Sequence, residues 1–93
     1  MFLEIVTPEA ILFSSEVTSV AVPGIHGEFQ ILNNHAPVVS VLSAGEIKIE
    51  ASNTSINEKF KDSFVKTNDG RLAFTINSGT LEMKDNKVII LAD

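Results

Sequence analysis

The side chains most able to do chemistry in this 93-residue chain sit close together in the stretch GIHGEFQILNNH, which holds His26, Glu28 and His35. Two imidazoles and one carboxylate form the donor set of a facial metal triad, which leaves open positions for oxygen chemistry. Such a triad usually takes its last histidine from a distant strand. Here one local segment would have to fold back tightly around the ion with no further ligand in sight. A pair of polar loop histidines is the simpler reading. A small β-sandwich metal protein or enzyme using His26, Glu28 and His35 is the alternative that these residues leave open.

Other chemical signals are weaker. Pro23, Gly24 and Gly27 lack the following Lys-Ser/Thr and the helix that a phosphate-cradling loop needs, so they read as a turn. No serine, histidine and acid form a nucleophile arrangement, and Ser14, Ser15, Ser40 and Ser43 read as turn or strand residues. Asn53-Thr54-Ser55 matches a glycosylation acceptor, yet without a signal peptide it reads as a polar loop. Six Phe and no Tyr or Trp offer little of a sugar-stacking platform. The expectation is no catalytic residue, no metal and no cofactor, which leaves binding through a shaped surface.

Composition narrows the partners. With 44% hydrophobic and 20% charged residues, the chain falls among ordinary globular proteins. At this length it makes one domain, residues 1–93, which buries about 60% of the surface that its unfolded chain exposes. The absence of cysteine excludes disulfides and thiolate metal sites. The net charge of −5, with lysines scattered among carboxylates, argues against nucleic acid, because counterion release needs clustered positive charge. The start MFLEIVTPEA lacks the basic and apolar regions of a signal peptide. No apolar run approaches the ~20 residues that span a bilayer. A soluble chain is expected, with membrane association only through partners and no direct insertion.

The elements that must position these residues repeat with a period of two, the spacing of half-buried strands. GEIKIEA sets Ile47, Ile49 and Ala51 against Glu46, Lys48 and Glu50. RLAFTIN repeats the pattern with Leu72, Phe74 and Ile76, and TLEMK with Leu81 and Met83. Further strands are expected at residues 2–6 and 16–22. The apolar runs at 38–42 and 87–91 suit strands covered on both faces. A loop is expected at 52–57 and a strand at 60–66, packed through Phe60, Phe64 and Val65. Turns are expected at Pro23-Gly24, Asn68-Asp69-Gly70 and Asp85-Asn86. No helix is evident, and many short strands point to an all-β sandwich or barrel.

Two ordered blocks then resemble a known family. The stretch LEIVTPEAILFSSEVTSVAVPGIHGEFQILNNHAPVVSVLSAGEIKI is similar to the opening half of F-type ATP synthase epsilon subunits, with their "TPE" turn, "LFSGEV" segment and "PG.DGE.GILPGH.P" loop. NSGTLEMKDNKVIILAD resembles the closing "SGGFLEV..N.VTVLAD". The chain departs from the pattern where Gln30 replaces Gly, Asn33-Asn34 replaces Pro-Gly and Thr80 replaces a second Gly. Asn34 is expected to take the left-handed turn of the missing glycine.

The resemblance implies an antiparallel sandwich of about ten strands in two sheets. It implies a non-catalytic rotor part clasped between the gamma subunit and the c ring, coupling the two during proton-driven ATP synthesis. Its place would be the cytoplasmic face of a bacterial inner membrane, or the equivalent organellar side, as a peripheral subunit. GEFQILNNHAPVV would be the loop region shown to partners, with Glu28, Asn33, Asn34 and His35 meeting the c ring and Thr7, His35, Val38 and Ser40 meeting gamma. In longer members the "VLAD" strand leads to a helical hairpin that can inhibit hydrolysis and in some binds ATP. Here the sequence ends at Asp93, so neither the hairpin nor ATP binding is expected.

Overall fold

A computed structural model describes residues 1–51 and 62–93. Among the described residues ten strands run β1 Phe2–Val6, β2 Ile11–Glu16, β3 Ser19–Gly24, β4 Gly27–Leu32, β5 Val38–Leu42, β6 Gly45–Glu50, β7 Phe64–Lys66, β8 Leu72–Ile76, β9 Gly79–Lys84 and β10 Lys87–Ala92. Their order is β2-β1-β10-β9-β5-β3-β6-β8-β7, with β4 on the free side of β3. The halves β2-β1-β10-β9-β5 and β4-β3-β6-β8-β7 face each other across one core. Among the described residues a single paired position, Gly24 opposite Leu42, connects them through β3 and β5. All pairings are antiparallel except that of β1 with β10.

One apolar cluster draws on both halves, with Leu3, Ile5, Phe13, Ile31, Ile47, Ile49, Leu81, Met83 and Ile90 almost fully buried. Phe13 on β2 and Phe64 on β7 stand at opposite ends of the strand order, yet their ring centroids lie 6.0 Å apart. The sheet therefore curls until its first and last strands touch. Phe64 also stacks on Phe74 of the neighbouring β8 at 5.2 Å. Burying each such large side chain stabilises the fold by about 1.5–3 kcal/mol.

Turn chemistry sets the register. Asp85 and Asn86 have φ of 52° and 59° between paired Lys84 and Lys87, the two left-handed residues of a type I′ hairpin. The β3–β4 hairpin turns two residues later than Pro23-Gly24 suggests. Gly24 pairs with Gly27 across Ile25 and His26, and a Cβ at Gly24 would come within 2.9 Å of the Phe29 ring.

Several expectations need correction. The stretch at 27–32 forms strand β4 rather than loop, paired with β3 from end to end. The expected strand at 16–22 is two strands, β2 and β3, with a break at Val17 and Thr18. At 60–66 the strand begins only at Phe64, after a 3₁₀ turn at Asp62 and Ser63. Phe60, the loop at 52–57 and Asn53-Thr54-Ser55 lie outside the described residues. The runs at 38–42 and 87–91 are covered on one face, not two. Leu42, Val88 and Ile90 are buried, whereas Val39 is 76% exposed, Val41 59% and Leu91 53%.

Candidate interaction surface

The residues singled out in the sequence fall at two ends of the sandwich, separated by the length of β4. His26 sits in the hairpin turn before this strand and His35 just after it. At about 3.3 Å per strand residue, the six residues of β4 hold the two imidazoles on the order of 15 Å apart. A shared first coordination shell is out of reach at that span. Among the described residues no group of three or more His, Cys, Asp and Glu is placed to hold a metal ion.

Glu28 opens β4 on the outer face of the second half. Its partner across β3 is Pro23, and its Oε1 lies 3.1 Å from Nζ of Lys48 on β6. Such a partly exposed ion pair contributes about 0.2–1 kcal/mol. Beside it the Gln30 amide donates to Ser19 Oγ at 3.2 Å, and that hydroxyl donates to Glu50 Oε1 at 3.1 Å. Gln30, where the family has glycine, thus lies flat over β3 and leaves the β4 backbone paired. Ser19, 2% exposed, is covered and satisfied by the same arrangement.

At the far end of β4, His35 N–H donates to the Leu32 carbonyl at 3.1 Å, and Asn34 has φ of 63°. A positive φ at the third residue of a four-residue turn is what a type II turn requires, so Asn34 does take the glycine's place. Both asparagines are engaged within the chain. Asn33 Oδ1 accepts from the Met1 ammonium at 2.8 Å, which also bonds Glu16 at 3.1 Å. The Asn34 N–H donates to Asn86 Oδ1 at 2.7 Å. The exposed His35 ring lies with Nδ1 2.7 Å from the Ala36 carbonyl, a bond that places its proton on Nδ1.

Strand β5 carries the chain from this end to the other. Val38 and Ser40 pair with Met83 and Leu81 and share their inward-facing side, half buried. Val39 and Val41, one step out of phase, face outward. Pairing then lines Val41, Thr80, Leu91, Val6 and Ile11 across five strands in one row. Apart from Thr80, this is an apolar band on the outside of the first half. It borders a groove of about 570 Å³ whose walls include Val6, Thr7, Pro8, Val41, Leu91 and Asp93. Gly79 lines the same groove, and a Cβ there would meet the Leu91 carbonyl oxygen at 2.6 Å. Thr7 closes the β1–β2 turn through reciprocal backbone bonds with Ala10 at 2.9 and 3.2 Å. It stands at the opposite end from His35, and Glu28 shares Thr7's end. The outward row escaped sequence reading because VVSVL and KVIIL are apolar at both parities, and only pairing decides which residues face out.

Comparison with known proteins accounts for this arrangement better than a metal site does. The family described as ATP synthase, Delta/Epsilon chain, beta-sandwich domain matches residues 1–93. The ATP synthase epsilon chain of Chlorobium limicola is 38% identical over 91 residues, covering 98% of this chain and 86% of that protein. The epsilon chain of Campylobacter curvus is 42% identical over 93 residues, and there this chain spans 60% of the relative's length. Among solved structures, a chain of the Tetrahymena thermophila mitochondrial ATP synthase central stalk and c-ring superposes over 99% of this chain and 62% of its own, with TM-score 0.72 and 19% identity. That likeness concerns the fold. By the match along its whole length and by its identity to these epsilon chains, the protein belongs to the ATP synthase delta/epsilon chain β-sandwich family.

Proposed function

We propose that this protein is the epsilon chain of an F-type ATP synthase central stalk, a non-catalytic rotor part that couples gamma to the c ring. It rides at the membrane surface as a peripheral subunit, on the cytoplasmic side in a bacterium. The observation that carries this reading is the family match over residues 1–93. The fold suits the role. A part that transmits torque must resist shear and hold two neighbours at once, and a close-packed sandwich does the first. Each stable interface needs on the order of 1,000 Å², so the two must use different sides of so small a domain.

The two contact groups separate along β4 and β5. The Glu28 end, with the exposed hairpin of Ile25 and His26, meets the polar loops of the c ring. The gamma contact runs along β5 from His35 toward Thr7, with Val39 and Val41 supplying the apolar area that the half-buried Val38 and Ser40 do not. Asn33 and Asn34, expected at the ring, stand instead at the His35 end, where their bonds to Met1 and Asn86 support the loop from within. Cysteines introduced singly as Glu28→Cys and Val41→Cys test the division. The first is expected to cross-link to a cysteine in the c-subunit loop and the second to gamma. Both linking to the same subunit would overturn it.

A further inference from the structure

We propose that Asn86 is a positioning residue that fixes the His35 loop in the geometry its partner recognises. The inference deepens the reading of that loop as a gamma contact and rests on it. Asn86 is the second residue of the type I′ hairpin between β9 and β10, with φ of 59° after Asp85 at 52°. Glycine is the residue this position favours most, and Asp-Gly is among the strongest hairpin pairs. An asparagine there gives up some turn stability, and its side chain has a use that glycine lacks. Its Oδ1 reaches across 52 positions of sequence to accept the Asn34 N–H at 2.7 Å.

The same residue holds a third element, since its carbonyl oxygen accepts from Phe2 N–H at 3.1 Å. Asn86 thus joins the β9–β10 hairpin, the start of β1 and the turn before β5. Asn34, itself at φ of 63°, is exposed, and the clasp adds to the His35 to Leu32 bond and to the Asn33 bond with the Met1 ammonium in ordering this turn.

Two substitutions at one position separate this role from a general effect on folding. Asn86→Gly keeps the left-handed turn and removes the acceptor. Asn86→Asp keeps both an acceptor oxygen and tolerance of positive φ. In the free chain, amide exchange at Asn34, measured against the core amides of Leu81 and Val88, is expected to quicken about tenfold in Asn86→Gly and to stay near wild type in Asn86→Asp. Affinity for the purified gamma subunit is expected to follow, several-fold weaker for the glycine variant and recovered in the aspartate variant, with the thermal midpoint of Asn86→Gly equal to or above wild type. Unchanged exchange at Asn34 in the glycine variant overturns the clasp. Quickened exchange with unchanged gamma affinity overturns its role in recognition. A wild-type chain that binds no gamma at all would instead overturn the functional reading, and the exchange data alone would then judge the clasp.

Discussion

Single side chains in this domain are mostly engaged with one another, and the polar residues that resemble contact groups are often structural. Glu28 faces Lys48, Asn33 holds the terminal ammonium and Gln30 covers Ser19. Spacing in the sequence brought Glu28 and His35 together as ligands, and one strand between them keeps them apart. The β7–β8 turn shows the same internal use of charge. The Asp69 carboxylate accepts from the Thr67 hydroxyl, from the Arg71 backbone N–H at 3.3 Å and from the Arg71 guanidinium at 2.9 Å. The Thr67 bond foremost, with Arg71 adding to it, holds the Asp69 carboxyl below the ordinary aspartate range. A lowered folded value means that its stabilising contribution is complete above that range and is lost as pH falls through the folded value. Followed by NMR, the Asp69 carboxyl carbon is expected to titrate below free aspartate in the wild type and to move up toward it in Thr67→Val. A wild-type titration at the ordinary position would remove the argument.

At the scale of strands, much of the fold was legible and its facing was not. Residues 45–50 and 72–76 read as strands because their period of two and their turn residues agree, and 38–42 because its apolar run is short and bounded by turn residues. The I′ turn at Asp85-Asn86 declared itself because few residue types tolerate two successive positive φ values. Strand β4 was hidden because GEFQIL, lying at an edge, buries only one side chain fully, Ile31, so little alternation marks it. Strand β2 was hidden by the Ser14-Ser15 step and by the irregular register between Ile5 and Val6. In β5 and β10 both parities are apolar, and a one-residue slip exchanges core and surface. The resulting assignment of β5 is testable by stability alone. Leu42→Ala is expected to cost about 2–5 kcal/mol, whereas Val41→Lys is expected to stay within about 0.5 kcal/mol of wild type. Denaturant unfolding of the two variants measures this, and a large loss from Val41→Lys would reverse the facing of the strand.

The described residues form one curled sheet whose first and last strands meet through Phe13 and Phe64, with the residues proposed to meet partners at both ends and an apolar band outside the first half. Such closure lets a small domain carry load between two neighbours, since sliding one half over the other would break the shared core. The likeness to epsilon chains was carried by ordered segments rather than by any reactive side chain. The central claim is that this domain joins gamma to the c ring so that hydrolysis and ion movement stay coupled. The most direct test is to add the chain to a synthase depleted of its own epsilon chain in sealed vesicles and to follow ATP-driven proton pumping. Restored pumping per ATP hydrolysed, with the chain recovered in the assembled complex, is the result expected. Incorporation without restored pumping, or no incorporation beside intact gamma and c ring, would contradict the account.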